Sequence, residues 1–430
     1  MQSKQGLWRR VRLYVRRVVR SDVPRIAGQV RYGLRRTPLS VSVLLAAIAG
    51  FGLAQYLGRW VERQISSGGV DSVVQLDAFR TGLAMVAGVG GAVALVVAYR
   101  RQRDLEQGRF VERFGAAAKQ LGDDDAALRL AGAYAMAGVA DESHEFGRRQ
   151  QCIDVLCEYL RLPYDPARGA SHCTEVTTKT LTGEASNQVE VTETIRIRQN
   201  DRQVRQTIIR IIAAHLSKHH EHRWSRHNFD FSGVLFEDAD FKQTVFGGEF
   251  VSFEKAEFHG ETDFAAAEFN RANLSFADAT FKGPASFYRA TIGAVANSFS
   301  SATFEKDAAF DSTTFAGIAT LFTGTRFEGA TTSFDDATFS TSVLTEFGRA
   351  VFKSDDTTFR GAAFHPALQA HSFEGASFEG RRATFDSPRM WESVRFDWDG
   401  KPDRIPACIR PQKWPPAVNP NQPRIHVRKL

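Results

Sequence analysis

The sequence predicts two transmembrane helices, then a small α-helical region, then a β-solenoid. Three observations carry this reading: two uncharged nineteen-residue runs at 39–57 and 81–99, helically spaced apolar residues between Arg101 and Leu216, and phenylalanine at a sustained interval of five from Phe231 onward. Disorder throughout and collagen are excluded by 43% hydrophobic and 24% charged residues in 430. Four cysteines cannot staple so long a chain, which fits a reducing compartment, and nothing before the first apolar run reads as a cleavable signal peptide. The parts are expected as a basic arm at 1–36, a two-span hairpin at 37–100, a helical adaptor at 101–227 with a polar loop at 164–199, the solenoid at 228–398 and a Pro-rich, basic, disordered tail at 399–430.

The runs Leu39–Leu57 and Thr81–Tyr99 each have the length of a ~30 Å hydrocarbon layer at about 1.5 Å per residue. Small residues every fourth position (Ala46, Gly50, Ala54, Gly58; Ala84, Gly88, Ala92) would let two such helices pack closely. Residues 1–36 hold eleven Lys and Arg against the single acid Asp22, and Arg100, Arg101, Arg103 and Arg109 follow the second run. Positive charge stays inside, so the expectation is a multi-pass protein of the bacterial cell membrane with both termini cytoplasmic and the lipid bilayer as a partner. The arm also spaces Leu7, Val11, Tyr14 or Val15, and Val18 helically among its arginines, as a helix lying on an anionic leaflet would.

In the adaptor, Leu105, Phe110, Phe114 and Leu121 make one helical stripe that stops at Gly122, and Asp123, Asp124 and Asp125 open the next helix. Its buried face is expected at Leu128, Ala131, Tyr134, Ala135 and Val139. Ile153, Leu156, Cys157 and Leu160 give a third face, and Val204, Ile208, Ile211, Ile212 and Leu216 a fourth. The intervening loop alternates over Val189–Ile197, suggesting a two-stranded ribbon. On a continued helix His215, His219 and His222 would share one face, as three metal ligands might be arranged; with no fourth ligand or base indicated, a solvated helix cap is the preferred reading of residues 215–227, and no metal, cofactor or catalytic residue is assigned. Cys152 and Cys157 lack the spacing of a zinc knuckle or redox pair, and Cys173 and Cys408 lie far away.

Of 34 phenylalanines, 29 lie between Phe229 and Phe396. Phe231, Phe236, Phe241 and Phe246 are followed by pairs five apart, from Phe253/Phe258 to Phe373/Phe378, with Ile292 in one second place. Two residues before the large one stands Ala, Thr or Val, except at Leu274, Asn297 and His371. Neither a strand nor a helix repeats every five residues, so each coil must bury its rings on those of its neighbours. Phe253, Phe276, Phe299 and Phe322 are 23 apart, so two pairs make a coil, and about 150 residues make six or seven coils.

Units such as ADATF, SATFE, DDATF and EGASF resemble pentapeptide repeats, with Phe where that family usually places Leu. The resemblance implies a right-handed quadrilateral β-helix. RFVERFGAAAKQLGDDDAALRLAGAYAMAGVA, CIDVLCEYLRLPYDP and RQTIIRIIAAHL, after the two uncharged runs, are similar to membrane-anchored pentapeptide-repeat proteins common in actinobacteria, a family that brings no catalytic residues.

From Asn228 to Gly400 there are 26 Asp plus Glu and 14 Lys plus Arg, net −12, and the remainder carries +18. The preferred function is a non-enzymatic membrane-anchored scaffold that presents an acidic β-helix to a basic protein partner. Soluble relatives that imitate DNA and bind topoisomerases suggest one alternative, and a metal protein or enzyme using the 215–227 histidines another. Nucleic acid is not expected as a partner. The spans and the end of the β-helix are surfaces through which copies of the chain could associate.

Overall fold

The computed structural model describes residues 72–421 except 172, 174, 183–188 and 271–272, together with the isolated positions Gly52, Gln55, Tyr56 and Arg59. Two compact units divide the chain at Arg109/Phe110. Four helices are described: α1 (Ser72–Leu121), α2 (Ala126–Glu142), α3 (Phe146–Arg161) and α4 (Asp201–Leu216).

The expectation of two membrane spans is overturned, because no helix among the described residues is long and apolar enough to cross a membrane. The run at 39–57 lies almost wholly outside the described residues. The run at 81–99 forms the middle of α1, and nine of its nineteen residues are Gly or Ala, which contribute far less to lipid transfer than Leu, Ile, Val or Phe. Lack of charge there stood in for apolar bulk. The multi-pass placement with both termini cytoplasmic rested on those spans and does not stand. The basic arm at 1–36 lies outside the described residues.

In the second unit α1 stops at Leu121, and Asp125 caps α2 by accepting from the Ala127 amide at 2.7 Å, as the acidic trio implies. The buried face of α2 is not the expected one. Arg129, Gly132, Ala133, Met136, Ala137, Val139 and Ala140 point inward, while Leu128 and Tyr134 are exposed. The reason is backbone approach: a Cβ at Gly132 would lie 2.3 Å from the Leu121 amide nitrogen, so only the glycine side of α2 can meet the end of α1. The expected apolar residues of α3 and α4 are all buried. Between them β1 (Glu175–Thr182) and β2 (Val189–Arg196) form the antiparallel ribbon.

From Phe229 the chain winds through four parallel sheets of eight, seven, eight and seven strands. Face 1 runs from Phe229–Asp230 to Val394–Arg395, face 2 from Leu235–Phe236 to Ser377–Phe378, face 3 from Ala239–Asp240 to Ile409–Arg410 and face 4 from Val245–Phe246 to Met390–Trp391. There are thus about eight coils rather than six or seven. The four phenylalanines spaced strictly by five form a coil of their own, and Val394–Arg395 and Ile409–Arg410 begin another.

The two corner types explain the repeat lengths. After the first Phe of each pair comes a tight turn, in which the small residue three positions on donates its amide to the Phe carbonyl, as from Ala256 to Phe253 (3.1 Å) and Ala290 to Phe287 (2.9 Å). The residue two beyond the Phe is left-handed, including Lys255, Ala266, Asp278, Arg289 and Ser301 as well as Gly324 and Gly361. The surplus residues sit at the other corners. Gly283 occupies one of these, where an added Cβ would lie 2.0 Å from the Gly260 carbonyl oxygen.

Inside, the rings stack coil upon coil: Phe253 on Phe276 at 4.7 Å, Phe258 on Phe281 at 4.5 Å and Phe322 on Phe347 at 4.7 Å, each pair within 3° of parallel. Different columns meet edge to face, as do Phe322 and Phe334 at 88°. Helices α3 and α4 pack beside the first strands, where Gln150 bonds both the amide and the carbonyl of Asn228 at 2.9 Å. At the far end Trp414 lies 4.8 Å from Phe396 and 5.5 Å from Trp391. Residues 399–421 are therefore not the mobile tail that their prolines suggest. Ile409–Arg410 pairs with Arg382–Thr384, and Trp414 supplies the apolar surface that composition averages away. Residues 422–430 lie outside the described residues.

Candidate interaction surface

The solenoid's charge is unevenly placed around its circumference. Outward positions of face 2 and of the corner leading to face 3 carry Asp238, Glu257, Glu261, Glu305, Asp307, Glu328 and Asp355. Several are paired: Lys282 bonds Glu257 at 2.7 Å, Arg326 bonds Glu328 at 2.6 Å and Arg381 reaches Asp355 at 3.2 Å. The Glu257 carboxyl is held below its usual range by Lys282 first and His259 second. These contacts are partly or largely exposed, so they tune the surface more than they stabilise it. Asp238, Glu261 and Glu305 are exposed carboxylates on the same side.

A second acidic group is buried at the turn from face 3 to face 4. Asp311, Asp335 and Asp336 are 3%, 6% and 3% exposed. Ser333 donates to Asp311, Thr358 and the Arg360 amide donate to Asp335, and Arg389 lies 4.0 Å from Asp336. Burial pushes the Asp311 carboxyl up to about 6, with Asp335 and Asp336 adding to the rise. Burial likewise raises Asp335, against the bond from Thr358.

Two of the three exceptions to the small-residue rule, Asn297 and His371, stand with Thr320 and Thr345 in a buried polar column, while the third, Leu274, is a buried apolar residue next to it. Asn297 donates to Thr320 Oγ1 at 3.2 Å and to the Ala316 carbonyl at 3.1 Å, and its Oδ1 has no hydrogen-bond partner. His371 lies 3.0 Å from Thr345 Oγ1 and 2.6 Å from the His365 carbonyl, and burial lowers its pKa. Nothing in the sequence beyond the broken Ala/Thr/Val pattern announced this column.

The histidine segment does not form a ligand face, because α4 ends at Leu216 and only His215 belongs to it. His215 is buried, stacked on Trp224 at 3.9 Å, and bonded to the Ile211 carbonyl at 2.6 Å and to Asp141 at 3.0 Å. Asp141 also accepts from Trp224 Nε1 at 2.9 Å. Burial alone would raise its pKa, but the His215 and Trp224 bonds more than offset this and leave it lowered. Sequence reasoning missed Asp141, which clamps the end of α2 to the end of α4 and to Trp224 beyond it. His227 stacks on Phe146 at 4.2 Å, and burial, with Arg149, depresses it to about 4. Among the described residues no group of three or more His, Cys, Asp or Glu is disposed to hold a metal. Cys152 and Cys157 are buried free thiols, with burial pushing Cys152 up to about 12; Cys173 is exposed.

A cavity of about 420 Å3 opens beside α4, lined by Tyr164, Asp165, Arg168, Arg198 and Asp201 among others. Its polar groups are engaged with the scaffold. Tyr159 donates to Asp201, Tyr164 donates to Glu237, and the buried Arg205 bonds the carbonyls of Tyr159, Leu160 and Leu162 at the end of α3. Buried Arg129 bonds the Asp123 and Asp124 carbonyls at 3.0 and 2.7 Å. The arrangement joins helices to coil. Arg129 and Arg205 were invisible in the sequence because charged residues at helix positions ordinarily face water.

The protein-family model described as pentapeptide repeats (9 copies) matches residues 241–291. Those residues are therefore pentapeptide repeats, and the same Phe-stacked coil continues beyond them to Ile409–Arg410. A β-helix of this kind is generally a scaffold for protein interaction. No curated protein and no solved structure matches the chain.

Proposed function

We propose that the chain is a non-enzymatic scaffold whose β-helix binds a basic protein partner through the carboxylate-bearing side formed by face 2 and the corner to face 3. The supporting observation is the excess of acid over base in the solenoid, net −12, borne on a column of stacked rings that holds each side chain at a set height. A fixed array of like charges raises the encounter rate with an oppositely charged surface and weakens as salt screens it. The absence of a catalytic role in this reading rests on two features. Among the titratable groups that burial perturbs, Asp311, Asp335, Asp141 and His371 are each bonded to the scaffold, and the family that the repeats resemble supplies no catalytic set.

The test is capture from the native host's lysate on the immobilised full chain, at about 50 and about 500 mM salt. A partner retained at low salt and lost at high salt is expected, and substituting Asp238 by Asn together with Glu257, Glu261 and Glu305 by Gln should release it. Capture of nothing above background, or of partners indifferent to both salt and these substitutions, counts against the reading.

A further inference from the structure

The ring columns end in a socket. The last ring on Phe359 is Phe385 at 4.8 Å, the last on Phe373 is Phe396 at 4.6 Å, the last on Phe364 is Trp391 at 5.3 Å, and Trp398 lies beyond Phe378 at 6.2 Å. A single indole closes them. Trp414 stands nearly perpendicular to Phe385, Trp391 and Phe396 at 5.7, 5.5 and 4.8 Å, and lies 5.7 Å from Trp398. Its Nε1 donates to Asp399 Oδ1 at 3.0 Å, and the other oxygen of that carboxylate accepts from the Phe396 amide at 2.7 Å, which fixes the carboxylate beside the socket. Within the column each ring is covered by one from the next coil, as Phe347 is by Phe373. At this end the cover comes from outside the repeat.

We infer that this end of the column is a binding site for an indole ring, filled in cis by Trp414, and that residues 408–421 form a latch which opens there as a unit while the coils stay folded. The chemistry selects the ligand class. Rings presented edge to face favour an aromatic occupant, and a carboxylate that accepts from its ring N–H singles out indole over a plain phenyl ring. The fastening is light. The Ala383 amide donates to the Cys408 carbonyl at 2.9 Å, that of Phe385 to Arg410 at 2.7 Å and that of Asn419 to Pro388 at 2.8 Å, and the buried Ile409 and half-buried Trp414 supply the apolar hold. Gly400, at a left-handed φ of 70°, and the exposed Lys401–Arg404 stretch give the latch a joint. Closure also leaves a cost in place: the Trp398 indole N–H is buried without a hydrogen-bond partner, and lifting the neighbouring Trp414 relieves it by admitting water. Tethering gives Trp414 an effective concentration on the order of millimolar, so an indole from outside gains the socket only when the latch is out.

Hydrogen exchange of the full chain, with indole itself as the probe ligand, tests both halves. In the wild type the amides of Ala383, Phe385 and Asn419, which bond across the latch, should exchange at one common rate at least about tenfold faster than those of Phe322 and Phe347, which bond from coil to coil. Trp414→Ala should speed the first three by about a further tenfold and leave the other two unchanged. Indole should bind this variant saturably near millimolar concentration and slow the three amides again, while leaving the wild type untouched. Adding Asp399→Ala should lower the ratio of indole to benzothiophene affinity at least about fivefold, since benzothiophene has the shape without the N–H and only indole loses a bond. Circular dichroism must show the variants folded; if Trp414→Ala does not fold, the wild-type exchange rates decide alone. Latch amides no faster than those of Phe322 and Phe347, a folded variant that indole does not bind, or an affinity ratio that ignores Asp399 would each overturn the inference.

Discussion

Asp311 offers a quantitative test of the buried acidic turn. The perturbation is Asp311→Asn, which keeps the shape and the oxygen that accepts from Ser333 while removing a charge at a 3% exposed site. Burial, with Asp335 and Asp336 adding to it, raises this carboxyl from 3.8 to about 6. A difference of about two units corresponds to about 3 kcal/mol by which the ionised form is disfavoured in the folded chain. A folded-state pKa above the unfolded one means that stability is fully present below 3.8 and is lost as pH rises through about 6. At pH 7.5 both states are ionised and the folded chain bears the whole cost, so the Asn variant should be more stable there by up to about 3 kcal/mol. That advantage should shrink as pH falls from about 6 toward 3.8. Urea unfolding of wild type and variant, followed by circular dichroism at pH 7.5, 6, 5 and 4, reads the difference directly. Other titrating groups, such as His227 and His371, are common to both proteins and cancel. A variant less stable at pH 7.5, or a difference that does not change with pH, would refute the account of a charge held in a desolvated turn.

Other outcomes follow from the same coil. Phe322→Ala removes a fully buried ring stacked on Phe299 at 4.9 Å and Phe347 at 4.7 Å and should cost about 3–5 kcal/mol in urea unfolding. A double-mutant cycle with Phe347→Ala should show about 0.5–1.5 kcal/mol of coupling and one with the distant Phe258→Ala close to none, equal couplings telling against nearest-neighbour stacking. Ala266 holds a left-handed φ of 54°, so Ala266→Gly should raise stability by about 1 kcal/mol, unlike the usual penalty for glycine in a strand. His227, depressed to about 4 by burial and Arg149, contributes stability that is present above 6.5 and lost as pH falls toward 4. Its pKa, read from the ring-proton shifts in NMR, should lie well below 6.5, and a value at or above 6.5 would show that the ring is not desolvated.

The solenoid was legible because its signal is periodic and one-dimensional. A ring every fifth residue with a small partner two before it can be satisfied only by coils stacked in register, and Phe231 to Phe378 bear this out ring by ring. The tight left-handed corners were hidden, since residues such as Lys255 and Arg289 occupy positions where glycine would have announced the turn. The faces of α3 and α4 could be read from period 3.6, whereas that of α2 could not, because contact with the end of α1 selected Gly132 over Leu128. The spans failed for a different reason: absence of charge is a property of the string, while the capacity to cross a lipid layer depends on apolar bulk along an actual helix.

What the amino-acid string determined alone was the repeat, its ring columns and its excess of acid, since each is fixed by residue type and spacing. Only the folded chain decided which carboxylates are buried, that His215 and Trp224 clamp Asp141, and that Asn297 and His371, more than seventy residues apart, align in one buried column. Those depend on which side of a coil each residue faces and on what lies one coil above it, and that height is set by strand register and corner length rather than by sequence separation.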